Sequence, residues 1–175
     1  ALGIERAHLC GLSMGATASL EFAIRHPGRA LSLTIAAGGG GGSTDAAARQ
    51  RFREECEAFA QRIEREGMPA MAELYCTSSA RNTYRWKDPR GWAEFKRQFA
   101  EGSAVGHAMT MRGVQGARVP FFDRTAELAK IAEPMLVIIG DEDESTHGLA
   151  VHLKKVVARS GVLEMPKCGH TMNLE

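Results

Sequence analysis

Hydrophobic positions along this chain fall into two regimes. Four short, largely apolar runs read as buried strands: Ala7-His8-Leu9-Cys10, Leu31 to Ala37, Met135-Leu136-Val137-Ile138-Ile139 and Val162-Leu163-Glu164-Met165. Elsewhere apolar residues recur every three or four positions, the period of a helix with one buried face. Ala16 to His26 is such a segment, closed by Pro27 and Gly28. Strand, helix and strand in quick succession form a βαβ unit, with parallel strands and a right-handed crossover. The Met135 to Ile139 run is apolar throughout, as a parallel central strand should be.

The middle of the chain reads as helical. From Ala46 to Glu66, Phe52, Cys56, Phe59 and Ile63 form one apolar stripe, and Gly67 and Pro69 end it. Met71, Leu74 and Tyr75 predict a short helix. Residues 77–90 are polar and carry Pro89. Trp92, Phe95 and Phe99 predict another helix, and Ala104 to Val119 a further one. Asp123 to Ala132 is a short helix with Leu128 and Ile131 inward. Thr146 to Arg159 is a longer one carrying Leu149, Leu153, Val156 and Val157 on one face. The expected class is therefore α/β. Residues 1–43 form one sheet portion, 44–122 a helical insertion and 123–175 a second sheet portion. The helical region packs its own core and is also suited to serve as a lid with an apolar underside.

Composition narrows the function classes. The 175 residues suffice for one substantial core. The balance of 22 Lys+Arg against 21 Asp+Glu offers no field to draw nucleic acid or an anionic membrane. No apolar stretch is long enough for a transmembrane helix, and Ala1 to Arg6 does not resemble a signal peptide. Cys10, Cys56, Cys76 and Cys168 are scattered without a C-x-x-C pair, which suits reduced thiols in a cytoplasm. Cys168-Gly169-His170 and His8-Leu9-Cys10 match no zinc spacing, and the acidic run Asp141 to Glu144 lacks the EF-hand pattern, so no metal is expected. Gly38 to Gly42 invites a nucleotide-binding reading. However, Ser43 stands where a G-x-G-x-x-G pattern needs its third glycine, and no Walker-type Lys follows. These glycines read instead as a flexible connection, with Ser43, Thr44 or Asp45 capping the next helix. No cofactor is expected.

The chemistry concentrates at Gly11-Leu12-Ser13-Met14-Gly15, between the first strand and the first helix. A G-x-S-x-G turn in that context is a nucleophile elbow, which holds the serine hydroxyl out on a strained turn. Gly11 and Gly15 are expected to relieve crowding where strand and helix pass. The Met14 N–H, at a helix N-terminus, can donate to a developing oxyanion. The bland alternative is a glycine-softened turn with a capping Ser13. Two later strands each end in a chemically rich loop: Gly140-Asp141-Glu142-Asp143-Glu144 and Pro166-Lys167-Cys168-Gly169-His170. The carboxyl ends of strands are where α/β sheets keep their chemistry. His8, His26, His107, His147 and His152 carry no local signal and read as surface or structural residues.

Serine, acid and histidine in this chain order resemble the α/β-hydrolase superfamily. The motifs G-L-S-M-G-A, V-I-I-G-D-E-D-E and C-G-H-T-M-N-L-E all recur there, and the likeness extends over nearly the whole chain. The resemblance implies Ser13 as nucleophile, His170 as general base and Asp143 as the acid, three residues after Gly140. Asp141 is the fallback and follows the strand closely. The resemblance further implies Met14 as one oxyanion donor and residues 44–122 as the lid. The expected activity is a serine hydrolase acting on an ester, lactone or carbon–carbon bond of a small apolar substrate. The competing possibility is a small-molecule receptor on the same fold. Family members have further strands and a second oxyanion motif before the elbow, and a final helix after the histidine. The expectation is thus a piece of a longer protein, poorly active alone. Its first strand would be completed by an N-terminal segment of the same protein or by pairing in a homo-oligomer.

Overall fold

A computed structural model describes residues 3–39 and 45–175. The four apolar runs are strands: β1 (Ala7–Leu12), β2 (Ala30–Ala36), β3 (Met135–Gly140) and β4 (Ser160–Met165). They form one parallel sheet in the order β1-β2-β3-β4. The register sets Leu9 beside Leu33, Leu33 beside Met135 and Val137 beside Val162. The strands belong to a sheet unit made of Ala1–Gly40 and Phe121–Asn173. Alternate residues Leu33, Ile35, Met135, Val137 and Ile139 pack against Leu20 of helix α1 (Met14–Arg25), against Phe121, and against Leu149, Leu153 and Val157. Leu149 and Leu153 come from a later helix, Glu144–Val156.

β3 is the parallel central strand expected, paired with β2 on one side and β4 on the other. Its alternate residue Leu136 is 40% exposed, as are Leu31 and Leu163 in comparable degree. The residues described in the sheet unit place their helices over the Leu33–Val137 core, and side chains of opposite pleat reach solvent.

The helical unit, Gly41–Pro120 with Leu174–Glu175, begins with α2 (Ala46–Cys76), capped by Asp45, whose carboxylate accepts from the N–H groups of Ala47 and Ala48. Gly67 has φ 76° and ψ 169°, so α2 is two helices joined at a kink, with Pro69 just inside the second. This is the break expected at Gly67. Residues 77–90 are the polar stretch that follows α2. They form a 3₁₀ turn (Ser79–Arg81) and helix α3 (Asn82–Lys87). Tyr84 is buried there, edge-on to Phe95. Pro89 starts α4 (Pro89–Ala100), behind an Asp88 cap that accepts from Gly91. The expected helix Ala104 to Val119 is shorter. α5 (Ala104–Thr110) widens into π geometry over Met111–Gly116, where Arg112 bonds both Glu57 and Glu64.

Back in the sheet unit, a 3₁₀ turn (Phe121–Arg124) and α6 (Thr125–Leu128) replace the single helix expected over Asp123 to Ala132. α7 (Glu144–Val156) then joins β3 to β4.

Candidate active site

β1 and α1 are separated by a single residue, Ser13. The backbone there is forced to φ 54° and ψ −110°, a left-handed conformation that a non-glycine residue adopts only under constraint. Two bonds impose it: the Ser13 N–H donates to Ala36 O at 2.8 Å, and the Ser13 carbonyl accepts from Thr17 N–H at 3.1 Å. Gly11 makes the tight turn possible, since a Cβ there would lie 2.1 Å from the Gly15 carbonyl oxygen. Gly15 is not needed for the same purpose. A Cβ at Gly15 meets nothing within 4 Å among the described residues.

A serine ahead of a helix ordinarily caps it. Here the Ser13 side chain makes no cap bond. Its Oγ lies 2.8 Å from Nε2 of His170. On the other side of the ring, Nδ1 lies 2.6 Å from Oδ2 of Asp143. A carboxylate only accepts, so the proton sits on Nδ1, and Nε2 is left to accept from the Ser13 hydroxyl.

Asp143 precedes α7 directly and is only 1% exposed. Its second oxygen, Oδ1, accepts from the Ser145 hydroxyl at 2.8 Å. Burial pushes this carboxyl up. The bond and charge of His170, with hydroxyl bonds from Ser145 and Thr146, outweigh burial and hold it below the usual carboxylate range. Met14 opens α1, so its N–H is one of the first-turn donors with no acceptor inside the helix.

Asp141, the alternative acid, lies elsewhere: its Oδ1 accepts from the Cys168 N–H at 3.0 Å. His147, read from the sequence as incidental, borders the site. Its Nδ1 is 3.1 Å from the Asp143 carbonyl and its Nε2 3.0 Å from Glu164 Oε1. The Glu164 bond is the main reason its pKa is raised. The signal that finds it is its position four residues after Asp143, one turn along α7. Of the glycine run, Gly38 packs close to Ile35 and Leu149, while residues 40–42 lie outside the described residues, and with them most of the nucleotide-binding possibility. Among the described residues no cluster of three His, Cys, Asp or Glu could hold a metal ion. Nor is any helix long and apolar enough to cross a membrane.

A parallel sheet with an elbow serine, and with acid and histidine on loops after later strands, defines a class of fold and site. The chain belongs to the Alpha/beta hydrolase family, whose model matches residues 1–175. It is 26% identical to 3-oxoadipate enol-lactonase 1 of Acinetobacter baylyi, over all of this chain and 61% of that protein. Among solved structures, it resembles the enol-lactonase from Burkholderia xenovorans LB400 with a TM-score of 0.79 at 25% identity, over 99% of this chain and 62% of that one. It also resembles MenH from S. aureus, with a TM-score of 0.86 at 20% identity, over 95% of this chain and 61% of that one. The chain thus spans about 61% of the length of the relatives it matches.

Proposed function

We propose that the protein containing this chain is a serine hydrolase that cleaves an ester, lactone or carbon–carbon bond of a small apolar molecule. The observation that carries this reading is the continuous bond path from Ser13 Oγ through the His170 ring to Asp143. In this reading Ser13 Oγ attacks the substrate carbonyl carbon while its proton passes to His170 Nε2. The oxyanion draws on the Met14 N–H. Collapse of the tetrahedral species breaks the bond to the leaving group, which takes the proton from Nε2. Water, deprotonated by the same nitrogen, then releases the acyl group and restores Ser13. Asp143 holds the ring in the required tautomer and stabilises it when charged. The helical segment 44–122 takes the part of the lid. The enol-lactonase relatives support a lactone or related small carbonyl compound as substrate. The absence of any disulfide among the cysteines supports a reducing, cytoplasmic setting.

The test is an organophosphonate ester probe on the full-length protein. Mass spectrometry is expected to place the adduct on Ser13, and Ser13→Ala to abolish both labelling and turnover of an aryl ester while the thermal unfolding midpoint holds. Labelling at another residue refutes the reading. Labelling of Ser13 without turnover of any ester or lactone favours the receptor alternative.

A further inference from the structure

The two loops that carry Asp143 and His170 are joined at their roots as well as through those side chains. Where β3 and β4 end side by side, Gly140 is paired with Met165. Beyond that pair the Asp141 N–H donates to Met165 O at 3.1 Å and the Glu142 N–H to Cys168 O at 3.0 Å. The loops approach so closely that a Cβ on Gly140 would lie 2.1 Å from the Cys168 carbonyl oxygen. Lys167 then turns into the left-handed region, with φ 50°. That turn directs two successive N–H groups, those of Lys167 and Cys168, to one place, a small anion-binding concavity made of backbone. The group that fills it is the Asp141 carboxylate, with Cys168 N–H to Oδ1 at 3.0 Å and Lys167 N–H as a further donor. His170 follows two residues later.

We infer that Asp141 is a positioning residue, whose carboxylate clamps the backbone of the histidine loop and so sets the reach of His170 to Ser13 and Asp143. The inference rests on the catalytic reading above and extends it. The two aspartates of Asp141-Glu142-Asp143 divide one task, Asp143 holding the ring and Asp141 the chain beneath it. Three facts point to a clamp. The Asp141 side chain bonds backbone and not the ring. The Cys168 N–H, with the Lys167 N–H after it, holds its carboxyl below the usual carboxylate range, as expected of a charged acceptor in a backbone concavity. Lys167 is also one of only three non-glycine residues with positive φ among those described. A second is Ser13 itself, so strained backbone occurs on both sides of the Ser13–His170 contact.

The experiment uses the full-length protein with its active sites counted by phosphonate titration, and compares wild type, Asp141→Ala, Asp141→Asn and Ser13→Ala on a neutral aryl ester. Asp141→Ala is expected to lower kcat per titrated site about ten- to a hundred-fold with KM little changed, since it displaces the base without touching substrate. Asp141→Asn keeps one acceptor oxygen and is expected to recover most of that loss. It also covers the case in which the alanine variant does not fold. Amide hydrogen exchange at Lys167 and Cys168 is expected to quicken in the asparagine variant while β3 amides stay protected. A kcat per titrated site equal to wild type in both variants overturns the inference, even if they melt at lower temperature, because Asp141 would then be structural only. Retained turnover in Ser13→Ala overturns the catalytic reading instead, so the two failures are told apart.

Discussion

Asp143→Asn isolates the contribution of the buried acid at almost constant volume. The Ser145 hydroxyl donates to Oδ1, which fixes that oxygen as the acceptor and turns the new amide nitrogen toward His170. An N–H facing Nδ1 requires Nδ1 to accept, so the ring proton moves to Nε2. Nε2–H then points at Ser13 Oγ, and the base of the proposed mechanism has no lone pair to offer. The wrong tautomer, rather than lost geometry, governs the loss. The serine-protease precedent for this change is about 10⁴ in kcat. That corresponds to roughly 5.5 kcal/mol of transition-state stabilisation at about 1.4 kcal/mol per tenfold. The assay is ester turnover at neutral pH, with thermal unfolding to confirm that the variant remains folded. A loss below about tenfold, in a protein whose Ser13→Ala variant is inactive, would refute the tautomer argument.

Two further outcomes follow from the geometry. The raised pKa of His147 means that its bond to Glu164 contributes stability in full below the ordinary histidine pKa of about 6.5, and that this contribution is lost as pH rises through the higher native value. Urea midpoints of wild type and Glu164→Gln should therefore differ at pH 5.5 and converge by pH 8.5; curves superimposed throughout would remove the pair from the account. Gly11→Ala drives a Cβ into the Gly15 carbonyl and should yield misfolded protein or a large drop in Tm, whereas Gly15→Ala meets open space and should leave Tm level or raised, by up to about 1 kcal/mol of helix propensity. Equal Tm values for the two variants would contradict the close approach seen at Gly11.

The strands were legible because each is a short apolar run bounded by glycine, proline or charge, and the elbow because it falls between a strand and a helix. The second face of β3 was not legible. An unbroken apolar run such as Met135 to Ile139 signals burial on both sides, yet Leu136 faces solvent among the described residues. Pro89 stands in a polar stretch, residues 77–90, with no helical period of its own. Only the Asp88 side-chain bond to Gly91 identifies it as a helix start. Gly15 drew its reading from symmetry with Gly11, and only coordinates separate a glycine under a carbonyl from one facing open space. Asp141 is held by backbone N–H groups of a neighbouring loop, which leave no trace in residue identity, and His147 by Glu164 of a strand 17 residues on, a pairing that no local pattern marks.

Ser13 and His170 are 157 positions apart in the chain, and the β2–β3 ladder joins Leu33 to Met135 across the whole helical segment. Such pairings form slowly, because long stretches of chain must be ordered before the contact returns any energy. During synthesis the elbow emerges before its histidine, and the two meet only after the intervening chain has been made. In the reading proposed above, a nucleophile without its base is inert, so chemical competence arrives only after the sheet has closed, and the chain passes through its immature forms without an activated serine.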